Sequence, residues 1–253
     1  MGTKPYGLVC PISMATELLE PRWTVQILTE MWNGTSRFNE LKRALGGISP
    51  GLLSRRLKEL ETNGLVERVE DRASGDVDYL RTEIAIALEP VLDAMAYWAQ
   101  RHIEAELMLD DINLSTLMWK IRKRIDANAL PPRRILMRFH FSDEDLPYDT
   151  YWLLAVPGSD VELCVTELGQ NIDLYVETSV HALGAVYGGR STFEKEIEKG
   201  EIFMSGDARI IRTINQWLKP GDYSVIEGIA MLGDKPKPSG ASTPAMPHMN
   251  TET

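Results

Sequence analysis

Residues 47–68 read GISPGLLSRRLKELETNGLVER and carry the strongest fold signal in the chain. Ser49 is a favoured N-cap residue, and Pro50 follows at the first helical position, where its missing N–H removes no hydrogen bond. Asn63-Gly64 is a left-handed helix stop, and Leu65 opens an extended segment. Between the cap and the stop, apolar residues recur at helical spacing: Leu53, Leu57 and Leu60. The stretch therefore predicts a short capped helix that runs directly into a strand.

The outward positions of this helix are polar and cationic, because they carry Ser54, Arg55 and Lys58. Residues 37–58 contain six Lys or Arg and one carboxylate, Glu40, whereas the whole chain has a net charge of -10 and a pI near 5.0. A local basic patch on an acidic body is typical of a sequence-selective surface that contacts phosphates. The alternative is an ordinary solvated helical hairpin.

The flanking segments complete a helix-turn-helix followed by a wing. Apolar periodicity predicts helices at 14–20, 23–32 and 36–45, the third capped by Ser36, with a Gly46-Gly47 turn before the recognition helix. Strands at 66–69 and 78–81 surround a turn signal at 74–76. A recognition helix and a wing predict double-stranded DNA as the partner.

We expect the DNA contacts to come from both elements. The recognition helix should enter the major groove with Ser54, Arg55 and Lys58, while Arg37 holds a phosphate and Arg72 in the wing reaches the backbone or minor groove. Ser49 at the helix N-terminus is included in the DNA-binding set. A twofold-symmetric protein would require a near-palindromic operator.

Residues 82–108 predict one long helix with an apolar stripe that includes Leu88, Leu92, Met95 and Trp98. A single winged domain is too small to bury such a stripe, so we interpret it as a homodimerisation helix.

The second half alternates apolar and polar residues in three runs, beginning near 135, 161 and 172, which predicts an antiparallel sheet with one wet face. Helices are expected at 114–125, 179–186, 192–198 and 208–218, with a short strand at 202–204. The predicted fold class is therefore α+β. The predicted division is a DNA-binding and dimerisation domain at 1–108, an antiparallel sheet covered by helices at 109–233, and a disordered tail at 234–253 that is rich in Pro, Ser and Thr.

The N-terminal third resembles the HxlR-type winged-helix transcriptional regulators over about residues 8–105. Matching segments include Cys10-Pro11, Arg22-Trp23-Thr24, Arg37-Phe38-Asn39-Glu40-Leu41, Gly47-Ile48-Ser49-Pro50, Arg56-Leu57-Lys58-Glu59-Leu60 and Gly64-Leu65-Val66-Glu67-Arg68. Residues 114–220 look like the sterol-carrier-protein fold, through the strand pattern and the segments Gly188-Gly189-Arg190-Ser191, Gly200-Glu201-Ile202 and Gly206-Asp207.

The carrier-like resemblance implies an apolar cavity for a hydrophobic small molecule. The expected ligand-binding residues are Met137, Phe139, Leu163, Leu183, Val186, Ile211 and Trp217. The alternative is that these side chains simply fill a core. The HxlR resemblance also implies that Cys10 could act as a redox sensor, against the alternative of a merely packed thiol.

Other function classes find little support. The two cysteines and four histidines share no metal-ligand spacing, and no nucleophile elbow or phosphate loop is present, so neither an enzyme nor a cofactor is predicted. No apolar run is long enough to span a membrane and no signal-peptide core is visible, so a cytoplasmic protein is expected. The prediction is a dimeric transcriptional regulator controlled by a hydrophobic ligand. The alternatives are a lipid carrier and a redox-sensing regulator acting through Cys10.

Overall fold

The N-terminal half of the protein is a helical bundle followed by a two-stranded sheet. The computed structural model describes residues 6–169 and 171–233. Helices and strands in the first part are α1 (Pro11–Leu19), α2 (Thr24–Trp32), α3 (Phe38–Leu45), α4 (Pro50–Thr62), β1 (Val66–Glu70) and β2 (Val77–Arg81). β1 and β2 pair antiparallel, and α2, α3, α4 and the start of β1 enclose one apolar core. The predicted winged helix-turn-helix is confirmed.

Two helix starts differ from the prediction by more than one residue. α1 begins at Pro11 rather than at residue 14, because proline is well accommodated in the first helical turn. Ser36 is not the cap of α3. Its hydroxyl donates to Asp78 Oδ1 of β2 at 2.6 Å, and Arg37 occupies the N-cap position without a side-chain capping bond. The Ser36 side chain therefore binds the wing and does not cap α3 as the sequence pattern predicted.

The single long helix predicted at 82–108 is wrong. The segment forms α5 (Glu83–Ile86), α6 (Glu89–His102) and α7 (Ala105–Leu109). Pro90 lies in the first turn of α6, which suits a helix start and not a helix interior, since proline removes a hydrogen bond and clashes with the preceding turn. Ile103 is extended (φ -93, ψ 128) and ends α6.

The C-terminal half contains a five-stranded sheet with helices on its apolar face. Its elements are α8 (Leu114–Arg124), β3 (Ile135–Phe141), β4 (Thr150–Ala155), β5 (Glu162–Cys164), β6 (Leu174–Thr178), α9 (Val180–Tyr187), α10 (Phe193–Glu198), β7 (Ile202–Gly206), α11 (Ala208–Arg212), α12 (Ile214–Trp217) and a 3-10 turn (Asp222–Val225). Their apolar side chains form a second core. The α+β fold class is confirmed.

The strand order is β5-β4-β3-β6-β7, and β3 pairs with β6 in parallel while the other neighbours pair antiparallel. The alternation of the sequence predicts a wholly antiparallel sheet, and the parallel pairing of β3 with β6 corrects that prediction. The difference arises because the chain leaves the edge strand β5 and returns on the far side of β3, so β6 enters in the same direction as β3. Two further elements are shorter than predicted: β5 spans only Glu162–Cys164, and the last helix is interrupted at Thr213 (φ -107, ψ 17). The predicted tail at 234–253 lies outside the described residues.

Candidate nucleic-acid interface

Helix α4 exposes the face that the sequence predicted. Ser49 caps it, since its Oγ accepts a hydrogen bond from the backbone N–H of Leu52 at 3.2 Å. The three leucines at positions 53, 57 and 60 are buried in the core. Ser54, Arg55 and Lys58 are exposed on the opposite side. The helix therefore presents one polar, cationic strip to solvent.

Acidic side chains on α4 hold both cations of this strip. Arg55 Nε lies 2.9 Å from Glu59 Oε1, and Lys58 Nζ lies 2.9 Å from Glu61 Oε2. The Arg55 side chain is 53% exposed and that of Lys58 is 75% exposed. Exposed pairs of this kind contribute at most about 1 kcal/mol, so separating either cation from its glutamate costs little.

The other cations of the basic patch are used inside the protein. Arg56 is largely buried and donates to the Arg22 carbonyl at 3.0 Å and to Glu59, and Lys42 donates to the Gly46 carbonyl at 2.9 Å. These contacts hold the helix-turn-helix together. The charge count of the sequence therefore overstates the number of cations available to DNA.

The wing lies beside the N-terminus of α3. Arg37 forms ion pairs with Asp76 at 3.0 Å and with Asp78 at 3.8 Å, which fix it against the wing. Arg72 is exposed in the turn between β1 and β2 and makes no ion pair within the described part of the chain. Asp71 organises this turn by accepting backbone N–H bonds from Ala73 and Ser74, and those bonds lower the pKa of Asp71. Of the two cations predicted to contact DNA near the wing, Arg72 is therefore less constrained by ion pairs than Arg37.

The C-terminal half contacts the helix-turn-helix directly through α8, a contact that the sequence analysis missed. The guanidinium of Arg122 lies 3.9 Å and that of Arg43 lies 5.6 Å from the ring centroid of Trp119, so the indole bridges α3 and α8. Lys120 pairs with the buried Glu30 of α2 at 2.8 Å, and Lys123 donates to a hydroxyl in the α2–α3 loop at 2.9 Å. The sequence signal for this interface was the basic row on α8, because Lys120 and Lys123 of that row are the cations that reach α2 and the α2–α3 loop.

One face of helix α6 packs against the rest of the chain and another face is exposed to solvent. Gln100 contacts the C-terminal half, while Val91, Met95 and Trp98 are exposed, Trp98 by 60%. Leu92 is 8% exposed and buried within the chain, which corrects its assignment to a free dimer stripe. Of the predicted stripe, Met95 and Trp98 are therefore exposed, and Val91 lies exposed on the same face of α6.

The predicted ligand residues do not gather around one cavity. An apolar cavity of about 220 Å³ lies between α8, α9, α10, α12 and residues 218–231, and its lining includes Leu183 and Val186. Met137, Phe139 and Trp217 are fully buried in the core, where the Trp217 indole donates to the Ile210 carbonyl at 2.8 Å. The remaining two, Leu163 and Ile211, pack against that core and do not line the cavity.

Cys10 is partly exposed at the N-cap position of α1. The backbone N–H groups of Ser13 and Ile12 lower the pKa of its thiol. Sequence reasoning found no neighbouring cation and so missed this effect, which comes from the free N–H groups of a helix start.

Among residues 6–169 and 171–233, no group of three or more His, Cys, Asp or Glu side chains could hold a metal ion. No helix in the same ranges has the length and apolar character needed to cross a membrane.

Comparison with known proteins finds relatives of the N-terminal part. The HxlR-like helix-turn-helix family matches residues 18–107. The chain is 35% identical over 102 residues to the uncharacterised HTH-type transcriptional regulator YvaP of Bacillus subtilis, covering 40% of this chain and 94% of YvaP. It is 35% identical over 101 residues to the uncharacterised HTH-type transcriptional regulator sll1512 of Synechocystis, covering 40% of this chain and 75% of the relative.

A solved structure also aligns with this part. The reduced form of the transcriptional regulator YodB from B. subtilis is 36% identical, with a TM-score of 0.35, covering 38% of this chain and 97% of that chain.

Proposed function

Because the chain belongs to the HxlR-like helix-turn-helix family of transcriptional regulators, we propose that it recognises its operator through α4 and the wing. The observation that carries this proposal is the exposed strip of Ser54, Arg55 and Lys58 on a helix whose opposite face is buried. In this arrangement the strip reads base edges in the major groove. Arg37, Ser49 and Arg72 position the protein on the backbone from the two ends of the same surface.

The active form is a homodimer. Val91, Met95 and Trp98 lie at i, i+4 and i+7 of α6 and form an exposed apolar strip, whose burial against a second copy would remove it from water. A twofold dimer binds a near-palindrome with half-sites one or two helical turns apart. In this proposal residues 1–108 bind DNA and dimerise, and residues 109–233 regulate.

A hydrophobic small molecule in the C-terminal half controls the regulator. The apolar cavity of about 220 Å³ supports this, since a dry cavity of about 150 Å³ is enough to hold benzene. The resemblance of this half to a sterol carrier points to the same ligand class. The alternative function is that of a lipid carrier in which DNA binding is secondary.

A second candidate is redox control through Cys10, which the lowered pKa of its thiol favours. Cys10 should then react with iodoacetamide faster than Cys164, for whose thiol no helix N-terminus is available. Equal alkylation rates in the folded protein would contradict this candidate.

Selection of bound duplexes from random-sequence DNA, followed by fluorescence anisotropy, tests the main proposal. A near-palindromic consensus is expected, with affinity that falls steeply as salt rises because phosphate contacts release counterions. Failure to enrich any sequence would contradict operator recognition and favour the carrier.

A further inference from the structure

A second cavity, with both polar and apolar side chains in its wall, lies where the helix-turn-helix meets the C-terminal half. It has a volume of about 470 Å³ and is bounded by α2, α6, α8 and the 3-10 turn at Asp222–Val225. The residues that matter to its chemistry are Trp32, Asp93, Tyr97, Gln100, Lys120 and Tyr223. Tyr187 and Ser224 line both this cavity and the apolar one, so the two are neighbours.

The wall of the cavity contains acceptors without donors. Gln100 is 7% exposed, and its amide nitrogen donates to the carbonyls of Gly188 at 3.1 Å and Tyr223 at 2.9 Å. Its Oε1 accepts no hydrogen bond in the described part of the chain, and the buried Ser224 Oγ is also unpartnered there. A buried amide oxygen without a donor is costly and uncommon in native proteins. A bound molecule that carries N–H groups would satisfy it.

The charges around the cavity leave one carboxylate unneutralised. Lys120 is paired with Glu30 at 2.8 Å, and Asp222 is paired with Arg124 at 2.6 Å. Asp93 forms no ion pair among the residues that the structure describes. It accepts a hydrogen bond from the Tyr223 hydroxyl at 2.9 Å, a neutral donor. Of the two aspartates that line the cavity, Asp93 is therefore the one without a cationic partner in the described chain, and a cation bound there would gain a counter-ion.

Aromatic rings supply further attraction for a cation. Tyr97 and Tyr223 meet edge to face at 6.4 Å beside Asp93, and Trp32 reaches the cavity from α2. The guanidinium of Arg101 lies 6.0 Å from the Tyr97 ring centroid, but Arg101 does not line the cavity. Rings, a carboxylate and unpaired acceptors together form the chemistry that recognises organic ammonium groups.

We propose that this junction cavity binds a small organic amine in its protonated form, with the ammonium group between Asp93 and Gln100 and the apolar part against Trp32, Tyr97 and Tyr223. The amine bridges α2 of the helix-turn-helix to α6 and the 3-10 turn. It therefore favours one placement of the DNA-binding half relative to the regulatory half. Only this regulatory consequence rests on the proposed function; the binding itself does not.

Calorimetric titration of the full chain with benzylamine and benzyltrimethylammonium tests the site, with benzyl alcohol as the neutral analogue. We expect saturable binding of both cations and at least about tenfold weaker binding of the alcohol, since the charge contributes the difference. Asp93→Asn keeps an acceptor for the Tyr223 hydroxyl and should weaken benzylamine binding about tenfold. Glu104→Gln is the matched control, because it removes a negative charge at an exposed position just beyond α6, outside the cavity, and should leave affinity unchanged.

The outcomes separate this inference from the proposed function. If neither cation binds saturably, if the alcohol binds as tightly, or if Asp93→Asn binds benzylamine like the parent, the amine site is refuted even when the operator is bound normally. If benzylamine binds with the expected variant pattern but no operator is recognised, the site stands and the DNA-binding proposal falls. Anisotropy with and without saturating benzylamine then measures the coupling, and an unchanged operator affinity would refute the regulatory role of the amine.

Discussion

Replacing Arg55 with alanine separates DNA recognition from folding, because the side chain contacts little of its own protein. It is 53% exposed, and its described partner is Glu59, at 2.9 Å on the next helical turn. An exposed i,i+4 pair contributes about 0.3–0.5 kcal/mol. Alanine is the better helix former by a few tenths of a kcal/mol, which offsets part of that loss. The free energy of unfolding should change by less than about 0.5 kcal/mol.

The effect on operator binding should be much larger. A base-contacting arginine contributes about 1–3 kcal/mol to specific binding, which corresponds to roughly 5- to 150-fold in the dissociation constant. The assay is fluorescence anisotropy with the selected operator at one fixed salt concentration, together with urea unfolding of the same preparation. Arg212→Ala is the control, because Arg212 is equally a surface arginine but lies on α11, far along the chain from α4. If Arg55→Ala binds the operator as tightly as the parent while Arg212→Ala does too, the assignment of α4 as the recognition surface is wrong.

Three further predictions concern assembly, the junction and pH. Trp98→Glu should give monomers in light scattering because it places a charge in the exposed apolar strip of α6; a parent protein that is itself monomeric would remove the dimer proposal. Lys120→Met should lower the free energy of unfolding by about 2 kcal/mol, because it leaves the Glu30 carboxylate buried without its cation. The loss is smaller than for a fully buried ion pair, since the Lys120 side chain is about a third exposed. Adding Glu30→Leu should restore most of that loss, and no recovery would contradict the reasoning. Burial raises the pKa of Glu196, but hydrogen bonds from Lys199 and Ser191 outweigh it and the pKa lies below its ordinary value. The Glu196 carboxylate therefore stabilises the fold fully above about pH 4.3, and this stabilisation is lost as the pH falls through the folded-state pKa. Glu196→Gln should make the free energy of unfolding, measured with urea, fall less steeply at acid pH than in the parent. An unchanged acid dependence would contradict this.

The N-terminal half could be predicted from the sequence because its signals are local. A cap at Ser49, a proline beside it, three leucines at helical spacing and a glycine stop all lie within one short segment. Each acts on backbone conformation within a few residues, so no distant contact is needed to interpret it. The strands of the wing followed from the same local patterning, and the α+β class from the change of period along the chain.

The errors occurred where a distant residue changed the local outcome. Ser36 has the local pattern of a cap but bonds to Asp78 of the wing. Leu92 fits the apolar stripe but is already buried inside the chain. The direction of β6 beside β3 depends on how the chain crosses the sheet, which strand alternation does not encode.

The sequence by itself determined helix α4, the polar face that this helix exposes to solvent and the family to which the chain belongs, because these depend on residue spacing within single elements. Only the tertiary structure decided which cations remain available for DNA contacts. Arg56 and Lys42 instead donate hydrogen bonds to backbone carbonyls, and Arg56 also donates to a carboxylate. The tertiary structure also decided where the two halves meet. Asp93 and Gln100 of α6 form hydrogen bonds with Tyr223 of the 3-10 turn, which lies more than a hundred residues away in sequence. The residue periodicity of either segment contains no information about such a long-range contact.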